Sequence, residues 1–207
     1  MVKALAPAYG GRSFLDIKLD DARIVAAALG ARVPVLIMSS FATHEALLGA
    51  LPAPSASLPI EVFPQEVSLR VTPSGELHRD AAGALSPYAT GHGDLTFALR
   101  RSGALARFVA SGGELLLMSN VDNLVASLDP AVIGAHLRSG RALTVEVTPK
   151  YAGDQGGIPL AVDGRAQVVE AFRLPPTFDQ DSVPVFNTNT MVLDARAIDR
   201  DFDLDWF

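Results

Sequence analysis

Val33-Pro-Val-Leu-Ile-Met-Ser-Ser40 runs through short apolar residues and stops abruptly at two hydroxyls. A nearly unbroken apolar run of this length suits a strand buried on both faces of a parallel sheet, and the reading predicts a strand over Val33–Met38. Upstream, Ser13 stands before Phe14, Leu15, Ile17 and Leu19, and the apolar pattern ends at Gly30. That predicts an N-capped helix with Asp16 and Asp20 in its early turns. Downstream, Thr43–Leu51 reads as a second helix. The unit recurs where Glu114–Met118 runs into Ser119 and Asn120 and is followed by a helical stretch, Pro130–Arg138. Further strands are predicted at Leu143–Val147, Ile158–Val162, Ala166–Phe172 and Val185–Leu193. Early alternation of helix and strand with late crowding of strands predicts an α/β fold: a mixed, mainly parallel sheet flanked by helices. Leu51–Pro59, rich in Pro, Ala and Ser, reads as a flexible connector, and the whole of 1–207 as one domain.

The composition narrows the function classes. The 207 residues are 49% hydrophobic, enough to bury a core. A net charge of −6 argues against nucleic acid or an anionic membrane as partner, so any phosphate must be met locally. The absence of cysteine removes disulfides, thiolate metal sites and cysteine nucleophiles. It also suits a reducing compartment, and the expected localisation is cytoplasmic. No stretch reads as a signal peptide or a bilayer-spanning segment.

In open α/β sheets ligands lie beyond the carboxyl ends of the strands, which directs attention to three loops. Ser119-Asn-Val-Asp-Asn123 follows an apolar strand, and Asp122 there suits a Mg²⁺ shared with substrate phosphates; an Asx turn explains the same residues. Thr90-Gly-His-Gly-Asp94 precedes a helical stretch, Leu95–Arg101. Its glycine amides, the helix start and His92 could contact an anion, or Asp94 could simply cap a surface helix. Phe186-Asn-Thr-Asn189 places two amides at i and i+2 of a strand, hence on one face, either holding sugar hydroxyls or facing water on an edge strand. Gly156-Gly157 and Glu170 could serve the same sugar, or form a turn and a solvent-facing strand residue.

Taken in order, Ser13-Phe-Leu-Asp16, Val33 to His44, Phe63-Pro-Gln65, Gly91-His-Gly-Asp94, Ser119 to Asn123, Glu146-Val-Thr-Pro-Lys150, Gly156-Gly157 and Phe186-Asn-Thr-Asn189 resemble the UDP-glucose pyrophosphorylase family. The resemblance covers almost the whole chain. It implies a nucleotide-diphospho-sugar transferase (GT-A-like) fold, and uridylyl transfer between UTP and glucose 1-phosphate to give UDP-glucose and pyrophosphate with Mg²⁺. It places Met38, Ser39, Gln65 and Gly91 at the uridine, with Gln65 on the uracil edge. Lys3, His92 and Asp122 fall at the phosphates, with Asp122 as the metal ligand. Glu146, Gly157, Glu170, Asn187 and Asn189 line the glucose pocket. Relatives acting on UDP-N-acetylglucosamine or on several UDP-sugars share much of this order. Gly91-His-Gly-Asp94 favours the glucose or the broad enzyme, and an inactive UDP-sugar-binding paralogue is the competing class. Oligomeric state is left open.

The resemblance also implies a glycine-rich phosphate loop immediately before Lys3, with Met1 standing at a valine of that segment. After Asp205-Trp-Phe207 it implies a further strand, another phosphate-contacting lysine and a carboxyl-terminal domain. On that reading the chain is a partial nucleotidyltransferase domain with little turnover of its own.

Overall fold

The computed structural model describes residues 2–53, 55–151, 153–154 and 156–201. The expectations for Met1 and for Asp205-Trp-Phe207 lie outside the described residues. Two compact units emerge, one formed by Met1–Glu114 with Ala195–Phe207 and the other by Leu115–Asp194.

The first unit opens with a short hairpin, β1 (Pro7–Tyr9) and β2 (Arg12–Ser13), and enters helix α1 (Phe14–Leu29). The start of α1 is fixed by a reciprocal pair of bonds: Ser13 Oγ accepts from the Asp16 N–H at 3.1 Å, and Asp16 Oδ2 accepts from the Ser13 N–H at 2.9 Å. The helix closes at Gly30 in the left-handed region, as the sequence predicts. Leu15, Leu19 and Ala26 are its buried stripe.

The Ser13 backbone N–H, then its hydroxyl, hold the Asp16 carboxyl below its ordinary value of 3.8. A depressed carboxylate adds stability that is present above its unfolded pKa and is lost as pH falls through the folded one. Ser13→Ala is therefore expected to lower stability by about 1 kcal/mol at neutral pH. In denaturant titrations the gap to the parent should narrow, without closing, as pH falls below the ordinary value of 3.8, because the lost hydroxyl bond to the carboxylate depends on pH while the lost cap on the Asp16 N–H does not; a gap independent of pH would refute this assignment.

Strand β3 (Val35–Ser39) follows, then helix α2 (His44–Ala50) and strand β4 (Ile60–Pro64). β3 and β4 pair in parallel, from Val35 opposite Ile60 to Ser39 opposite Pro64. β3 begins two residues later than predicted, after Pro34, which lacks an N–H for the ladder. The segment read as a flexible connector is partly seated. Leu58 is 1% exposed, and the Ser57 and Pro59 carbonyls accept from Val33 and Val35 at 2.9 Å.

A β arm comes next, with β5 (Val67–Leu69) and β6 (Pro87–Ala89) antiparallel. Helices α3 (Leu95–Arg101) and α4 (Ala104–Ala110) complete this stretch, and Arg107 of α4 pairs with Glu61 of β4.

The second unit holds β7 (Leu115–Met118), α5 (Pro130–Ser139), β8 (Leu143–Pro149), β9 (Ile158–Val162), β10 (Arg165–Val169) and β11 (Val185–Asp194). β11 lies between β7 and β8, antiparallel to both. β9 and β10 form a hairpin whose two-residue turn, Asp163-Gly164, has positive φ at both positions. β10 ends at Val169, earlier than predicted, and Ala171–Arg173 turns into a 3₁₀ helix. The chain then returns to the first unit through α6 (Ala195–Ile198).

The mixed α/β class stands, but among the described residues the parallel ladder is β3–β4 and the others are antiparallel. The physical reason is visible in the second unit. β7 and β8 run the same way and are joined by α5, as a βα pattern suggests, yet β11 is inserted between them. No helix among the described residues is long and apolar enough to cross a membrane.

Candidate functional site

In the first unit Met38, Ser39, Gln65 and Gly91 gather at the carboxyl ends of β3 and β4, while Lys3 lies elsewhere in the fold. The Gln65 N–H donates to the Ser39 carbonyl at 2.8 Å, extending the parallel ladder past Pro64. Ser39 is 2% exposed; its Oγ lies 2.7 Å from His44 Nδ1 and donates to the Phe63 carbonyl at 3.3 Å. Met38 is opposite Phe63 in the ladder and half-buried.

From the far side the Gly91 N–H donates to Gln65 Oε1 at 2.5 Å. This fixes the polarity of the amide, since only its oxygen can accept from an N–H, and turns the two Nε2 donors away from Gly91. Gly91 has φ 86° and ψ −162°, a backbone region essentially restricted to glycine.

His92 is exposed and opens a 3₁₀ turn, His92–Asp94, that leads into α3. Asp94 does not cap α3 through its side chain, contrary to the surface-turn reading of this loop. It is buried and accepts from the Glu66 N–H instead. With a carboxylate already at the start of a seven-residue helix, the helix end adds little to anion binding. Lys3 is exposed on a 3₁₀ turn, Lys3–Leu5, that rests on α1 and α2.

In the second unit the remaining candidates converge on β11. Asn187 faces Val147 and Met191 faces Val145, so Thr188, Asn189 and Thr190 bulge opposite Glu146. Asn189 takes φ 59°, a left-handed conformation that asparagine tolerates better than most residues. The bulge breaks the two-residue alternation from which Asn187 and Asn189 were expected to share a strand face. What joins them is a local bond, Asn189 N–H to Asn187 Oδ1 at 2.9 Å.

The loop after β7 is tied to the same bulge. Asn189 Nδ2 donates to Asn120 Oδ1 at 2.9 Å, and Asn123 Nδ2 to Thr190 Oγ1 at 3.0 Å. Asp122 lies exposed between those two anchors. Thr188 Oγ1 donates to Glu146 Oε2 at 2.9 Å, holding that carboxylate beside the bulge.

The Asn187 N–H donates to the Gly157 carbonyl at 2.8 Å. Gly157 is a close-approach glycine and not a turn glycine: a Cβ there would lie 2.6 Å from Val168 Cγ1 and 2.8 Å from Glu170 Oε1. The unit thus assembles Glu146, Gly157, Glu170, Asn187 and Asn189, with the Asn120–Asn123 loop alongside. With Asn187 Oδ1 and Asn189 Nδ2 engaged, Asn187 Nδ2 and Asn189 Oδ1 remain as a donor and an acceptor, a combination suited to hydroxyl groups.

Sequence reasoning missed the structural parts of Thr90, Asp94, Asn120, Thr188 and His44. Each lay inside or beside a quoted motif, but except for His44, which meets Ser39 five residues away, each has a partner distant in sequence; Asp94 reaches Glu66, 28 residues away.

The family described as UTP--glucose-1-phosphate uridylyltransferase matches residues 1–205. Among curated relatives, UTP--glucose-1-phosphate uridylyltransferase of Hordeum vulgare is 28% identical over 96% of this chain and 44% of its own length. The Saccharomyces cerevisiae protein of the same name is 28% identical over 96% of this chain and 42% of its own length. The chain therefore spans less than half the length of these relatives.

Among solved structures, UDP-glucose pyrophosphorylase of Leishmania major, crystallised with UDP-glucose, superposes with TM-score 0.76 at 21% identity, covering 95% of this chain and 46% of the other. A protein of Entamoeba histolytica described as a UDP-N-acetylglucosamine pyrophosphorylase also reaches 0.76, at 17% identity, covering 95% and 54%. At these identities the structural likeness speaks for the fold, while the match across residues 1–205 goes further: the chain belongs to the UTP--glucose-1-phosphate uridylyltransferase family.

Proposed function

We propose that this chain supplies the uridine-reading and sugar-holding parts of a uridylyltransferase that joins UTP and glucose 1-phosphate. The observation that carries the reading is the bond from the Gly91 N–H to Gln65 Oε1, which presents the amide nitrogen as a donor for a uracil carbonyl. Ser39 and Met38 at the end of β3 would bound the base and ribose. Asn187, Asn189, Glu146 and Glu170, with Gly157 admitting close approach, would meet the hydroxyls of the hexose.

In the reaction, a phosphate oxygen of glucose 1-phosphate forms a bond to the α-phosphorus of UTP. The bond from that phosphorus to the bridging oxygen breaks, and pyrophosphate leaves with its electron pair. Little covalent work falls to the protein, and rate comes from aligning two anions and offsetting their charge. His92 and Lys3 are the groups of the first unit assigned to phosphate, a local answer to the overall charge of −6.

Asp122 fits a divalent ion of the Mg²⁺ type. Among the described residues no group of three His, Cys, Asp or Glu side chains forms a cage, and Mg²⁺ commonly takes one or two carboxylates with waters and substrate phosphates. Bound there, such an ion would neutralise phosphate charge.

The test is a thermal melt with UDP-glucose and with UDP-N-acetylglucosamine as the control. Ligand at a hundredfold excess over its Kd stabilises the folded state by about 2.7 kcal/mol. For a chain of this size that is a rise of roughly 5–10 °C in Tm. We expect the rise with UDP-glucose and a smaller one with the N-acetylated sugar. A cooperative melt that UDP-glucose leaves unmoved would refute the binding reading.

A further inference from the structure

Asp94 is only 5% exposed, although His92 and Gly93 just before it are exposed. Its Oδ2 accepts from the Glu66 N–H at 2.5 Å and from Thr90 Oγ1 at 3.1 Å. Thr90 in turn donates its N–H to the Glu66 carbonyl at 3.4 Å, and its single hydroxyl proton is shared between Asp94 Oδ2 and that carbonyl, 3.3 Å away. The Asp94 N–H closes the loop on the Gly91 carbonyl at 3.2 Å. Arg101, paired with the Glu66 carboxylate, brings its guanidinium to 3.8 Å from Asp94 Oδ1 and balances the buried charge. The segment Thr90–Asp94 is thereby laced to Gln65-Glu66, and Gly91 is held where its N–H meets Gln65 Oε1.

This lacing has a chemical consequence at Gln65. A glutamine amide has two ends of similar shape and opposite polarity, and a half-turn about its last torsion exchanges them. While the Gly91 N–H stays in place, the oxygen faces Gly91 and the nitrogen faces outward. If Gly91 drifts, either end can face a ligand. Uracil and cytosine differ at position 4, where one carries a carbonyl acceptor and the other an amino donor. An outward amide nitrogen suits the carbonyl and opposes the amino group.

We propose that Asp94 is a positioning residue for base selection: by pinning the Gly91 loop to Glu66 it locks the polarity of the Gln65 amide, so that the site takes a 4-oxo pyrimidine and rejects a 4-amino one. The proposal rests on the uridine reading given above and adds the residue that enforces it.

The experiment compares the affinities of UDP-glucose and CDP-glucose for the 207-residue chain and for Asp94→Ala, Asp94→Asn and Thr90→Val. The parent is expected to favour UDP-glucose by about tenfold or more, as sites that pair a ligand's hydrogen-bonding groups do. Asp94→Ala should narrow the preference to about threefold or less, because the freed amide serves both bases. Asp94→Asn, whose Oδ1 can take over both donors, should stay within about twofold of the parent.

A carboxylate that served only stability would lower Tm and weaken both ligands together, leaving the ratio intact. Should Asp94→Ala fail to fold, Thr90→Val decides. It removes one of the two donors to Oδ2 and should still narrow the ratio by about threefold. A parent-like ratio in the deciding variant overturns the proposal and leaves the uridine reading standing. A parent chain that binds both nucleotides alike, or neither, overturns both.

Discussion

Replacing Gln65 by glutamate is expected to weaken binding of UDP-glucose by about 100-fold and to favour the cytidine analogue instead. The Gly91 N–H would be satisfied by one carboxylate oxygen as it is now by Oε1. The second oxygen would then stand where the amide nitrogen stood, opposing a uracil carbonyl with another acceptor. An unmet pair of acceptors in a sheltered site is worth more than the loss of one bond, because both must shed water without compensation. Since glutamate and glutamine have nearly the same shape, Tm of the free chain should move little. Calorimetric titration with both nucleotides checks the expectation, and an unchanged uridine affinity would remove Gln65 from the base.

Gly157→Ala is the second large effect. The added methyl would lie 2.6 Å from Val168 Cγ1, and a β-branched neighbour in a paired strand has little freedom to turn aside. Glu170 Oε1, at 2.8 Å, ends a longer and exposed side chain and would swing away. We expect a loss of roughly 1–3 kcal/mol of stability from the overpacking. Sugar-nucleotide affinity should fall further, through the displaced carboxylate and through the Gly157 carbonyl that receives the Asn187 N–H. Denaturant melts combined with titration separate the two effects. A variant of normal stability and normal affinity would show that the close approach at Gly157 has no role in either.

Local chemistry was legible where it was self-contained. The bounds of α1 follow from a capping residue, an acidic partner three positions on and a terminal glycine, all within one stretch. β9 falls on the predicted residues because Asp163-Gly164 punctuates its end. Strand direction was not legible. An apolar run such as Leu115–Met118 looks the same beside a parallel or an antiparallel neighbour, and nothing local announces that β11 will pair with it.

The candidate site divides in the same way. Motif order named the residues that gather at the ends of β3 and β4 and around the β11 bulge, but not what gathers them. The face-sharing expected of Asn187 and Asn189 failed at one backbone angle, the positive φ of Asn189. Their convergence was right for a different reason. Asp94 looked like a surface cap because its partners, Glu66 and Thr90, come together only after β4 and the β arm have folded back.

The strand order β7-β11-β8 bears on how the chain is made. β7 and β8 leave the ribosome well before β11, and until Val185–Asp194 emerges each keeps an unpaired edge of hydrogen-bonding groups towards the gap that β11 fills. During that interval the second unit is an open template for wrong partners, and its closure waits on long-range pairing, the slow kind. The strand that completes the sheet also carries Asn187 and Asn189. A chain arrested before that strand would lack both the sheet's central member and the two asparagines proposed for the sugar, so assembly of this unit and its proposed capacity to bind would arrive in one step.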